Sequence, residues 1–461
     1  MTNTSAFIDE GASEQFRHET TAQPVQKSDR IKTIDMIRGL ALLGILLMNI
    51  PFFSGDGIVM YDVMQGDHDT WDFRTLAVVN SFFDSTMRGL FSMLFGAGML
   101  LFLMNKKETG EGPGVAELYY RRLLWLVFFG VINAYVLLWP GDILYTYGLL
   151  GMLLYPFRNS SPRLLVIMAI VFSLFFFGKS YYNYNEQRGK RIEYVAAVKL
   201  EKAGQKLTPA QTAAKEEWLE MEKTQKPDRE EVKENIAEMK GDYPGVFTWL
   251  LPVNSRFEAW WLHTWASFDC LFMMFLGMAL FKLGFFTNKL STSTYALMLL
   301  MGYGIGIPVG WIQFQGQLMA TGDLGAYFDR YRISFDALQD IRRLFLAIGH
   351  ASLLILVYRS KIMPWLMKAL ANVGQMAFTN YLMQSIICTV FFYGYGLGYY
   401  NKFRFHQVYY VVFAVWIFQL IFSSIWLHYF RFGPFEWVWR SLTYWKKQPM
   451  KISNTTTVSG V

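Results

Sequence analysis

An all-α, polytopic transmembrane helix bundle of about ten spans with one soluble helical insertion is the fold class this sequence predicts. Two observations predict it. Hydrophobic residues make up 53% of the 461 and charged residues only 17%, with aromatics at 18% and a positive mean hydropathy, a balance foreign to a soluble domain. Apolar runs of roughly 17 to 25 residues then recur about ten times along the chain, each long enough to cross a bilayer. The net charge is +7. Its Lys and Arg residues collect beside the apolar runs, where orientation and anionic lipid account for them, so no nucleic-acid partner is expected. Cys270 and Cys388 both lie inside apolar runs, and no disulfide or metal site is indicated.

Residues 1–30 are polar and lack the apolar core of a signal peptide. They are expected as a disordered cytoplasmic tail, which leaves the first span as an uncleaved signal anchor. A first transmembrane domain, 31–179, holds spans near 36–54, 75–104, 121–139, 142–157 and 163–179. Residues 180–245 form the long polar stretch and read as an extracytoplasmic helical insertion: Thr208, Pro209 and Gln211 make a capping box, and Asp228 with Glu231 offers a second helix start. The second transmembrane domain, 246–450, holds spans near 258–281, 293–313, 343–358, 374–396 and 407–430 and closes on a cytoplasmic motif. Residues 451–461 are expected as a disordered tail. Glycines in "FGAGM" at 95–99 and "GYGIGIPVG" at 302–310 read as close helix packing.

Orientation follows from the cations. Lys32, Arg121, Arg122, Arg158, Lys282, Arg359, Lys368, Arg440 and Lys446 all fall on one side, which places both termini in the cytoplasm. Arg330, Arg332, Arg342 and Arg343 depart from the pattern, as do Lys402 and Arg404.

Ionisable groups inside spans mark function by default. Asp84 and Arg88 are four residues apart, so on one helix they neutralise each other or bind substrate. Asp269 and His350 lie within apolar runs, and His350 is either a neutral histidine satisfied by a carbonyl or part of a relay. His263 and Asp142 stand at outer span ends. The first span, "TIDMIRGLALLGILLMNIPFF", opens with Asp35 and Arg38 and carries Asn49. His68, in "GDHDTWDF", sits among Asp67 and Asp69, a setting suited to taking a proton from a nucleophile. P-loop, HExxH, CxxC and GxSxG patterns are missing, so nucleotide hydrolysis, zinc proteolysis and serine hydrolysis have no motif.

Longer stretches carry a resemblance. "RIKTIDMIRGLALLGILLMNI", "FSMLFGAGM", "RRLLWLVFFGVINA" and "GDILYTYGLLG", then "NVGQMAFTNYLMQS" and "FGPFEWVWRSLTYWKKQP", resemble the bacterial YeiB-like family of inner-membrane proteins, whose C-terminal half is a domain of unknown function. The N-terminal half is similar to transmembrane acyltransferases of the heparan-α-glucosaminide N-acetyltransferase type. That likeness implies transfer of an acetyl or other acyl group from cytosolic acyl-CoA to a small-molecule or glycan acceptor across the membrane, with no metal. It implies His68 before Trp71 as the catalytic base, with Asp72-Phe73 where those enzymes have Asn-Gly; given such a base, Asp142 or Asp67 is expected to orient it and Asn49 and Asn80 to serve as oxyanion donors. Arg38, oriented by Asp35, would meet CoA phosphates, joined by Arg121, Arg122, Arg440 and Lys446. Membrane lipid and a second copy of the chain are the other partners expected. A transporter for a small polar solute, using Asp269, His350, Asp84 and Arg88, is the alternative.

Overall fold

The computed structural model describes residues 31–55, 57–104, 114–259 and 267–452. The expected tail 1–30, most of 451–461 and His263 lie outside the described residues. The helices are α1 (Lys32–Ser54), α2 (Ile58–Gln65), α3 (Trp71–Phe82), α4 (Thr86–Met104), α5 (Val115–Tyr135), α6 (Leu144–Met152), α7 (Pro162–Lys202), α8 (Pro209–Thr224) and α9 (Arg229–Glu238). They continue with α10 (Tyr243–Arg256), α11 (Ser267–Lys282), α12 (Thr292–Gly322), α13 (Leu324–Arg330), α14 (Gln339–Ser360), α15 (Pro364–Gln375), α16 (Ala377–Phe392), α17 (Val408–Tyr429) and α18 (Pro434–Tyr444). The all-helical bundle expected from the sequence is what forms. Among the described residues, six helical stretches are long and apolar enough to cross a membrane, and α16 is a shorter apolar helix. Buried fractions order them: 72% of the apolar window of α1 is covered, against 22% for α7 and α12, so α1 is central and the other two peripheral.

Local sequence starts several of these helices. Ser161 and Ser291 accept from backbone N–H groups three residues on, and Thr208 with Gln211 closes the expected capping box, each cap worth about 1 kcal/mol. Asp228 caps α9 by accepting from the Glu230 N–H. Glycines set the crossings. A Cβ on Gly277 would lie 1.9 Å from the Met93 carbonyl oxygen, and one on Gly374 would lie 1.7 Å from that of Asp35, so α4–α11 and α1–α15 meet backbone to backbone.

The molecule has two distinct ends. At one, here the basic end, α1 begins, the Thr33 hydroxyl donates to the Phe286 carbonyl, and Arg359 is held by Asn288 and Leu290. At the other, the insertion end, α9 docks through the Arg229–Asp62 ion pair at 2.7 Å, and the His406 imidazole meets Asp72 at 2.7 Å. Helix α7 runs unbroken for 41 residues, about 60 Å, so the span near 163–179 and the start of the insertion are one rod.

Three expectations are revised. Helix α3 ends at Phe82, and Ser85, at φ 53°, turns the chain before α4. Asp84 and Arg88 therefore do not share a helix face: Asp84 pairs with Arg342 at 2.9 Å, and Arg88 with Asp269 at 2.5 Å. Arg342 and Arg343 are not loop cations either. Both are buried at the start of α14, Arg343 bound to Asp269 and Asp340, which explains why counting them as surface charge blurred the orientation pattern. The expected spans near 121–139 and 142–157 are shorter than read: α5 ends at Tyr135 and α6 begins at Leu144, and between them Leu138, Trp139 and Asp142 are buried within the bundle.

Candidate functional site

Helix α5 enters the bundle from the basic end with two adjacent arginines, and successive side chains on a helix point about 100° apart. Arg121 turns outward, pairing with Glu117 and donating to the Thr443 carbonyl. Arg122 turns inward, its guanidinium 3.7 Å from the ring centre of Trp439 and 5.1 Å from that of Phe102. Stacking holds the plane and leaves N–H groups for an anion. Arg38 reaches the same place from α1, steadied by Asp35 at 3.0 Å, and Arg440 reaches it from α18, its guanidinium 4.4 Å from the Phe432 ring centre. All three line one cleft of about 240 Å³, whose walls are largely apolar side chains such as Leu94, Phe95, Met99 and Leu126.

The α18 segment builds this wall from a few residues. Gly433 and Pro434 start the helix, and the Glu436 carboxylate accepts from the Phe378 N–H at 2.8 Å and the Thr379 N–H at 3.0 Å, as well as from the Thr379 hydroxyl. A buried carboxylate is thereby satisfied at the N-terminus of α16, where the helix dipole favours it. Trp439 is fixed by donating its indole N–H to the Arg122 carbonyl at 2.8 Å.

Tyr381 closes the inner part of the cleft, with Tyr147, Ile143 and Leu144 beside it. The Tyr381 hydroxyl oxygen accepts from the Ile143 N–H at 3.1 Å and lies 3.4 Å from the Asp142 carboxylate. Asp142 is 2% exposed and accepts from Asn133 and from the Tyr145 N–H, each at 2.8 Å. The arrangement is a cationic rim, an apolar wall and a buried carboxylate behind a phenol. Such a cleft suits a ligand with an anionic head and an apolar or uncharged reacting end. Among the described residues, no group of three or more His, Cys, Asp or Glu side chains is placed to hold a metal ion.

Of the residues singled out in the sequence, Asp35, Arg38, Arg122 and Arg440 come together, with Asp142 one contact behind. His68 does not join them. It stands exposed at the insertion end, its Nε2 3.2 Å from the Met64 carbonyl and its ring stacked on Phe73 at 4.0 Å, while Asp142 is bonded to Asn133, Tyr145 and Tyr381. Asp67 accepts from the Asp69 N–H, a turn contact. Asn49 is half-buried in α1 and lines neither described cavity, and the Asn80 carbonyl accepts from Arg342. Asp84, Arg88 and Asp269 belong to the separate ionic network with Arg342 and Arg343. His350 has a partner at each nitrogen, with Nε2 donating to the Phe82 carbonyl at 3.1 Å and Nδ1 lying 2.8 Å from the Tyr303 hydroxyl. Tyr381, Glu436 and Trp439 were not singled out; they lie within the stretches that carried the resemblance, without polar spacing to mark them.

Comparison with known proteins adds a family. Residues 280–446 match the family described as a protein of unknown function, DUF418. Over 442 residues the chain is 31% identical to the uncharacterized protein YxaH of Bacillus subtilis (strain 168), covering 94% of this chain and 98% of that one. It is 30% identical over 426 residues to the uncharacterized protein YeiB of Escherichia coli (strain K12), covering 90% and 96% respectively. No solved structure matches. The cleft draws Tyr381, Glu436 and Arg440 from the DUF418 region and Arg38 and Arg122 from before it, and with near full-length identity at this level the chain belongs to the family of YxaH and YeiB.

Proposed function

We propose that this protein is an integral-membrane acyltransferase, taking an acyl group from acyl-CoA at its basic end and passing it to an acceptor hydroxyl or amine that arrives from the insertion end. One observation carries the reading: Arg38, Arg122 and Arg440, from three distant parts of the sequence, converge on a single apolar cleft that runs to Tyr381, with the buried Asp142 behind it. The arginines hold CoA phosphates by charge-assisted hydrogen bonds, and the apolar walls take the uncharged acyl end. In the transfer, the thioester carbon–sulfur bond breaks as the acceptor oxygen or nitrogen bonds to the acyl carbon. The acceptor proton goes to a carboxylate or imidazole, and CoA leaves as the thiolate that takes up a proton. Asp142 is the carboxylate behind Tyr381 at the inner end of the cleft, and His68 stands at the insertion end, on the face from which the acceptor comes. In this reading the basic end is cytoplasmic, both termini lie in the cytoplasm, and the membrane is the bacterial inner membrane.

A second reading, a transporter for a small polar solute, has one observation of its own. Asp269 is buried between Arg88 and Arg343, beside Arg342 and Asp84, and intramembrane charge of this kind can line a solute path. Calorimetry of acetyl-CoA binding to the purified full-length protein separates the two. Wild type binds in the micromolar range, and Arg38→Ala or removal of the CoA 3′-phosphate weakens binding about tenfold, near 1.4 kcal/mol. Absence of binding to folded protein sinks the acyltransferase reading and leaves the transporter.

A further inference from the structure

A second, larger cavity lies at the basic end. It measures about 1360 Å³ and is bounded by the start of α1, the end of α14, α15, the end of α17 and the chain at 448–452. That last segment is tied back across α17, where the Arg431 N–H donates to the Met450 carbonyl at 2.9 Å and the Ile452 N–H to the Tyr429 carbonyl at 3.2 Å. The floor is apolar, with Met36, Met367, Ala371 and Leu427. The rim is basic.

Beside Arg431, which follows the end of α17, four cations on the lining divide into two kinds. Arg359 is spent on structure, donating to Asn288, Thr292 and the Leu290 carbonyl. Lys32, Lys361 and Lys368 are exposed, and among the described residues no carboxylate pairs with them. The one acid on the lining, Asp35, is bound to Arg38. Flexible ammonium groups around an apolar floor complement a phosphate that carries apolar chains.

The surroundings name the source of that phosphate. Phe413, Ile417, Ile421 and Ile425 form a strongly exposed apolar ridge along α17, and this ridge ends at His428 on the cavity rim. On the opposite rim, the turn into α15 exposes Ile362 at 74% and Trp365 at 70%. Exposed tryptophan next to lysine at a helix end is the side-chain pattern of a membrane–water interface. A bilayer lipid therefore reaches the cavity along the ridge with its head already at the level of the lysines. We propose that this cavity is a binding site for an anionic phospholipid, its phosphate held by Lys32, Lys361 and Lys368 and its first chain carbons on Met36, Met367 and Leu427. The proposal is independent of the acyltransferase reading, because the arginine-rimmed cleft shares only Asp35 and Gln375 with this cavity.

The test is native mass spectrometry of the full-length protein released from vesicles of phosphatidylcholine mixed with phosphatidylglycerol, wild type beside a Lys361→Gln, Lys368→Gln double variant. Both lysines are solvent-exposed, and equal melting temperatures check the fold. Wild type retains phosphatidylglycerol in preference to phosphatidylcholine, and retention falls about tenfold in the variant. Equal retention of the two lipids, or no change in the variant, overturns the proposal. A third arm adds adenosine 3′,5′-diphosphate, the phosphate-bearing part of CoA. Displacement of the lipid by this nucleotide in wild type, lost in the lysine variant, would give the lysines to the acyl donor instead and also overturn the lipid site; failure of acetyl-CoA to depend on Arg38 bears on the other cleft alone.

Discussion

At the scale of single residues, Glu436 decides more than its place in the sequence suggests. Its carboxylate satisfies two buried N–H groups and a hydroxyl at the start of α16, while Gly433 leaves room for it, since a Cβ there would lie 2.1 Å from its Oε2. Glu436→Ala strands those donors, each a loss of about 1–3 kcal/mol. The expected result is a melting temperature several degrees lower in detergent; an unchanged one would show that water replaces the carboxylate without loss. How far residues were legible depended on what fixes their direction. Arg38, Arg122 and Arg440 stood out as cations beside apolar runs and took on a phosphate role only through the family resemblance, and Arg121 was grouped with them because only the rotational phase of α5 separates neighbours. Tyr381 and Glu436 gave no signal, as a phenol and a carboxylate gain their meaning here from partners more than fifty residues or a helix away.

At the scale of elements, caps and glycines were legible because they act locally. The capping box at Thr208 formed, and the glycines of "FGAGM" and "GYGIGIPVG" sit at helix contacts, Gly96 against Met274 and Gly302 against Gly349. The break between α3 and α4 was not, because "FFDSTM" carries no glycine or proline and its turn depends on Arg342 and Arg343 donating to the Ser85 hydroxyl from far along the chain. The far part of α7 is fixed in a similar way, through Arg191 and Asp329 at 2.7 Å. Hydrogen bonding by that guanidinium holds the Asp329 carboxyl below its ordinary value. A carboxyl depressed in the folded state stabilises fully above its unfolded pKa, and this contribution disappears as pH falls through the folded value. Hydrogen-exchange protection factors in α13 and residues 184–202 should therefore fall below about pH 4, while those of the membrane core hold. The pair is partly exposed, so the change is small; identical protection factors at pH 3.5 and 6 would mean that the pair holds nothing.

At the scale of the whole molecule, the insertion and the arginine-rimmed cleft occupy opposite ends. Trp218 is fully buried against Tyr194 and Phe328 and joins α8 to α13 and α7. Trp218→Ala removes a large side chain from a small satellite core, a loss of about 3–5 kcal/mol confined to that region. Limited proteolysis should then cut near 203–208 and 225–228, with acetyl-CoA affinity within twofold of wild type. A parallel fall in affinity would show that the two ends are coupled. The general plan was readable from composition and run length, which the bilayer dictates directly. The inner charges were not, because Arg342 and Arg343 look like loop cations until the helix they start is seen inside the bundle.

One feature has meaning for how the protein is made. The cleft is walled by α1, α4, α5 and α16, yet Glu436, Trp439 and Arg440 of α18 complete it and cap α16. These three residues follow every candidate membrane span among the described residues, so they are synthesised after all of them. Until then the nascent protein carries an open seam between α5 and α16, with two uncapped N–H groups and an unstacked Arg122. The cleft is thus closed only by the last helix to be made, and a chain ending before α18 lacks Glu436, Trp439 and Arg440 from its wall.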